Sequence, residues 1–227
     1  MYNADQTQFS GAYWPTVNPA RLPGTTTDGS TGTLSSFKFN TSNWAGGSSI
    51  DGPYGTVGMQ FSMSNNTGTP LSGKKSWFLF GDKYVALGAD ITSTGGRPVE
   101  TIVENRKLNE SGSNTLTVNG TAKPSASGWA ETMTNVQWAH LSGSVPGSDI
   151  AYVFPGGATV NGLRETRSGS WKDINTDGSA AVLSAQYASL ALNHGVDPAQ
   201  ASYAYAVYPG ATTAEAAAYA ANPGLQF

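Results

Sequence analysis

Two carboxylates, Glu100 and Glu104, stand in the run VETIVENRKL (99–108). An even spacing on a strand places both side chains on one sheet face. Paired Asp/Glu groups flanking a bond are the acid/base equipment of glycosidases. Arg106 on the same expected face offers the commoner alternative, a Glu-Arg ladder on a solvated sheet. The two histidines, His140 in VQWAHLSGS and His194 in ALNHGVDP, fall at a strand end and in a turn. A general base needs a partner and a cleft, so structural or surface roles are expected for both. Asp173, Asn175, Asp177 and Gly178 in KDINTDGS spell the first half of a calcium loop, but Ser184 stands where that loop needs an acid. A turn is expected there, and neither a metal nor a cofactor site is assigned. No G-x-S-x-G, H-E-x-x-H or Gly-rich phosphate loop occurs, and the absence of cysteine removes thiol chemistry. Tyr13 and Trp14, ahead of Pro15, and Trp44 remain as rings for stacking on sugars, with burial in a sandwich core as the equal alternative.

The elements that would position these residues are strands. Apolar runs recur between Gly, Asn, Asp and Ser clusters at 35–39, 56–63, 76–80, 84–91, 99–108, 114–119, 136–141, 150–154, 169–174, 180–192 and 201–209. Short strands punctuated by turn signals, with almost no helical period, predict an all-β antiparallel sandwich. The hairpin SWFLF-GDK-YVALGADI turns at Gly81-Asp82-Lys83, and Val118-Asn119-Gly120-Thr121 marks a second tight turn. The segment 212–224 differs: Thr213 as N-cap, Glu215 in the first turn, an Ala-rich body and a stop at Asn222-Pro223-Gly224 predict one short C-terminal helix. Thr25 to Ser36 reads as a long loop.

A chain of 227 residues with 38% hydrophobic and 11% aromatic residues can build one large core, so residues 1–227 are expected to form a single domain. Charged residues are 12%, against about 25% in an average protein. With net charge -3 and no basic run there is no footprint for nucleic acid or an anionic membrane. No apolar window reaches a membrane-spanning length, and Met1 leads into polar YNADQTQ rather than a signal peptide, so a secreted parent would make this a mature or cut piece.

Five stretches, in order, resemble the central β-sandwich of the family 8 polysaccharide lyases: YWPTVNPARLPGTTT (13–27), SWFLFGDKYVALGADITS (76–93), GGRPVETIVENRKL (95–108), GSWKDIN (169–175) and NHGVDPAQASYAYAVYPGATTAEAAAYA (193–220). The resemblance implies a galactose-mutarotase-like supersandwich cut from a long secreted enzyme, bacterial in origin, that also has an α/α-toroid and a smaller C-terminal β domain. It implies β-elimination on hyaluronan, chondroitin or xanthan, with a Tyr/His pair taking the C5 proton of a uronic acid and an Asn neutralising its carboxylate. Those residues sit on the toroid in the family, so no catalytic residue is carried over. The partners implied are an acidic polysaccharide and the missing toroid, whose removal would expose apolar surface and promote self-association. The expected substrate-binding residues are Tyr13, Trp14, Asn18 and Arg21, the last either pairing with a uronate or bracing the Pro23-Gly24 turn. Two other readings stay open: a non-catalytic carbohydrate-binding module and a self-standing glycosidase using Glu100 and Glu104.

Overall fold

A computed structural model describes residues 5–32 and 39–224. Within them lie the strands β1 (Thr26–Thr27), β2 (Ala45–Ile50), β3 (Tyr54–Ser62), β4 (Ser72–Phe80), β5 (Lys83–Thr92) and β6 (Pro98–Lys107). They are followed by β7 (Leu116–Val118), β8 (Thr121–Ala122), β9 (Ala130–Leu141), β10 (Ile150–Gly169), β11 (Leu183–Val196) and β12 (Ala201–Pro209). The helices are α1 (Tyr13–Thr16), a single turn, and α2 (Thr213–Ala221). Every pairing is antiparallel, in the order β1-β6-β11-β10-β12-β5-β4-β3-β2, with β9 on β10 and the β7–β8 hairpin on β9. The all-β sandwich with a C-terminal helix is therefore the fold found.

The sandwich closes through β10. One edge of this strand follows β9 from Ile150 to Leu163, while the other pairs with β12 at Ile150–Val153 and with β11 from Val160 onward. The change of partner spans a register shift between Val153 and Ala158, at Gly156 and Gly157, both with positive φ. The apolar run predicts a strand ending at Phe154, just before Pro155-Gly156-Gly157. This tripeptide is instead a bulge inside a 20-residue strand, where glycine lets the backbone turn the corner from one sheet to the other. Between the layers pack Tyr152 and Phe154 from β10, Tyr203 and Tyr205 from β12, Leu190 and Leu192 from β11, and Ile91 from β5. Each such large side chain contributes about 1.5–3 kcal/mol by leaving water.

Several local expectations change. The run GSWKDI is no strand: Ser170 and Asp173 form a capping box around a 3-10 turn at Trp171–Asp173, which consumes the Asp173 carboxylate. Strand β2, AGGSSI, lacks an apolar pattern and escaped notice; it is an exposed edge strand. The first hairpin turns on two residues, since Phe80 pairs with Lys83, and Gly81 has φ 66. The second is as expected, with Asn119 and Gly120 both at positive φ. Helix α2 is capped by Thr212 rather than Thr213, in a reciprocal capping box with Glu215. The expected strand at 35–39 lies, except for Phe39, outside the described residues.

Candidate functional site

The segment Tyr13–Thr27 wraps around the β6 edge of the sheet and is fixed from several sides. Tyr13 packs edge-on against Phe9 and Trp14, and the Tyr187 hydroxyl hydrogen-bonds Thr16 Oγ1 at 2.8 Å. Arg167 Nε donates to Thr16 O at 2.7 Å. Gly169, beside α1, is so close to it that an added Cβ would meet Pro15 O at 2.0 Å. Asn18 caps a 3-10 turn at Pro19–Arg21 by accepting from Ala20 N. Further on, Gly24 N donates to Ile102 O and Ile102 N to Thr25 O, which seats β1 against β6.

These anchors separate the four expected sugar contacts. Tyr13 is only 4% exposed, and burial, then Tyr187 and Glu104, push its hydroxyl up to about 12. In this structure the Tyr13 ring is packed away from solvent, edge-on to Trp14. Trp14 is 53% exposed. Arg21 spends Nη1 on Glu100 and Nη2 on Ser189 Oγ at 3.1 Å, so an acidic sugar there would compete with Glu100. Its carbonyl accepts from Asn105 Nδ2 at 3.1 Å, which makes Arg21 a brace between segment and sheet. Asn18 and Arg21 share a polar cleft of about 480 Å³ with Glu100, Thr132, Asn161 and Glu165. Trp44 lies elsewhere, over Gly58 on β3.

The Glu100/Glu104 pair is not a pair. Leu190 faces Glu104 while its neighbour Ala191 faces Ile102, so β6 carries one extra residue at Val103. That bulge reverses the side-chain alternation and sends the two carboxylates to opposite faces. Glu100 points to the outer cleft, where Asn161 Nδ2 donates to it at 3.1 Å. Glu104 is 2% exposed and accepts from the Tyr152 hydroxyl, from Arg106 Nη2 at 3.1 Å and from Asn105 N at 2.9 Å. A two-carboxylate glycosidase built on this strand has no geometric basis.

Both histidines are engaged, His140 buried and His194 half-buried. His140 Nε2 lies 3.0 Å from Ala211 O and 3.3 Å from Asp149 Oδ2; both are acceptors, so this nitrogen carries the hydrogen. His194 Nε2 shares a 2.8 Å hydrogen bond with Thr101 Oγ1. Burial and then the charge of Lys75 lower its pKa to about 4. Among the described residues no cluster of acids and histidines suited to a metal is found. Sequence reasoning missed Lys75, a lysine in β4 that is buried on the inner face beside Gly73 and Trp77.

Residues 1–220 match the family described as polysaccharide lyase family 8, super-sandwich domain. The chain is 45% identical over its whole length to a xanthan lyase of Bacillus sp. (strain GL1), of which it covers 24%, and 42% identical over 94% of its length to a hyaluronate lyase of Thermasporomyces composti, of which it covers 27%. It thus spans about a quarter of the length of these curated relatives. Among solved structures it resembles a Paenibacillus xanthan lyase, with TM-score 0.88 and 48% identity over 98% of this chain and 21% of that one. It also resembles a Streptomyces coelicolor A3 chondroitin AC lyase in complex with chondroitin sulphate, with TM-score 0.75 and 37% identity over 96% of this chain and 26% of that one. With the β10 corner, the layered aromatic core and the five sequence stretches all accounted for by one architecture, the chain belongs to polysaccharide lyase family 8 as its super-sandwich domain.

Proposed function

We propose that this chain is the non-catalytic wall of the substrate cleft in a secreted lyase that cleaves uronic-acid polysaccharides by β-elimination. The observation that carries this reading is the N-terminal segment: it is pinned to the sheet, yet it holds Trp14 exposed to solvent and contributes Asn18 and Arg21 to a polar cleft. A rigid mount for an exposed ring suits binding to sugar, whose pyranose faces are apolar. Proton abstraction needs an accessible base at hydrogen-bond reach of its target; His140 is buried against Ala211 O, and His194 Nε2 is taken up by Thr101 Oγ1. The relatives named for xanthan, hyaluronate and chondroitin support an acidic polysaccharide as substrate of the parent enzyme.

Incubating the chain with hyaluronan, chondroitin sulfate or xanthan should give no rise in the absorbance of unsaturated uronate. A steady rise would mean that an eliminative site lies within these residues and would overturn the reading. In parallel, Trp14→Ala should weaken oligosaccharide binding by about five- to tenfold, about 1–1.4 kcal/mol, read by tryptophan fluorescence.

A further inference from the structure

On the inner side of the same segment lies a second, larger cavity. It measures about 770 Å³ and is bounded by the segment from Pro19 to Gly32 and by the inner face of β3 and β4. Such a volume is in the range of small-molecule sites. Strand register fixes its floor: Met59 faces Lys75 directly, Val57 faces Trp77 and Phe61 faces Gly73, so Met59, Phe61, Lys75 and Trp77 present one continuous surface. The rim supplies hydroxyls and amides, among them Thr27, Ser30 and Asn66. No carboxylate is found among the described lining residues.

Lys75 is out of place in that surface. Its residue is 6% exposed, its ammonium donates to Gly24 O at 2.6 Å, and it stands 5.3 Å from the centre of the Phe61 ring. No salt bridge reaches it among the described residues, and Asp28, buried in the facing segment, accepts from Ser30 N and does not line the cavity. An ammonium has three donors, so a single carbonyl leaves capacity unused. A buried cation without a counter-ion is costly, and an anion entering the cavity would relieve that cost.

We infer that this cavity is a binding subsite for a carboxylate-bearing sugar residue, with Lys75 as counter-ion to the carboxylate and Trp77 with Met59 beneath the apolar face of the ring. The inference rests on the reading above that the domain handles acidic polysaccharide, and it adds a second place for the chain of sugars, distinct from Trp14 and the Asn18 cleft. Burial lowers the pKa of Lys75 to about 7. Of the titratable groups packed nearby, His194 has been lowered to about 4 and burial raises the Tyr203 hydroxyl far above neutrality, so neither changes charge around that pH; Asp28, held low by hydrogen bonds from Ser30 and Thr69, stays ionised throughout. A bound carboxylate favours the charged ammonium, so binding should take up a proton at Lys75.

The test is calorimetry of the chain with a hyaluronan hexasaccharide, in buffers of different ionisation enthalpy. Binding should be accompanied by uptake of most of one proton at about pH 8 and almost none at about pH 5.5, where Lys75 is already charged. Affinity should fall as pH rises above 7. Lys75→Met should abolish the uptake and weaken binding at least tenfold. Thr31→Trp, which fills the rim and leaves the lysine in place, should weaken it similarly and guards against a folding defect in the first variant. Binding that survives both substitutions, without proton uptake, and yields only to Trp14→Ala would overturn the subsite while leaving the cleft-wall reading intact. Absence of any binding would overturn both.

Discussion

His194, half-buried at the end of β11, is kept neutral because partial burial and the nearby Lys75 charge oppose its protonation, and its pKa falls from 6.5 to about 4. In the unfolded chain the same ring protonates near 6.5, so between about pH 6.5 and 4 the unfolded state binds more protons than the folded one. Stability should therefore drop as pH falls through that window, by up to about 3 kcal/mol. His194→Gln keeps a hydrogen-bonding group for Thr101 but cannot titrate, and should flatten this acid limb in urea melts taken at successive pH values. The buried Glu104–Arg106 pair makes a different kind of prediction. Arg106→Met leaves the Glu104 carboxylate buried with its cation removed and should cost about 3–5 kcal/mol in urea unfolding. Adding Glu104→Gln to it should recover part of the loss, because the uncompensated charge is then gone. No recovery would mean that packing, rather than charge, holds this layer.

At the scale of elements, the strands are joined by close approaches that only glycine allows. Tyr203 on β12 lies across Gly88 on β5, where an added Cβ would sit 2.0 Å from the ring. Gly88→Ala should push that aromatic out of its place and cost about 1–3 kcal/mol. Gly46→Ala on the exposed edge strand β2 meets nothing within 4 Å and should change the melting free energy by less than about 0.5 kcal/mol. Equal effects in a paired thermal melt would refute the packing argument. The same scale explains the Glu100/Glu104 error. Alternation was read as unbroken along VETIVENRKL, and the bulge at Val103 that breaks it is specified by pairing with β11, a strand about ninety residues away in sequence. Helix α2, by contrast, was legible because its capping box and stop are local, and only the cap moved, by one residue, to Thr212.

For the whole molecule, one end of the sheet is left bare. Ile50, Tyr54 and Phe80 face one another across β2, β3 and β4 in a single exposed row. A contiguous apolar row of this kind favours association. Sedimentation velocity should show the average mass rising with concentration, and Ile50→Lys with Tyr54→Lys should restore a constant value; a wild-type chain that stays monomeric throughout would contradict this. What the sequence determined by itself was the class of the fold and its family: two-residue periodicity, turn residues and the five ordered stretches are properties of short windows. Tertiary structure decided the rest. It buried Tyr13 and left Trp14 exposed, turned the PGG of β10 into a corner, tied Arg21 to Glu100, and placed Lys75 in a cavity with no salt-bridge partner among the described residues. Each of these depends on which side of a strand a residue faces and on what distant segment covers it, and that is set by register between partners far apart in the chain.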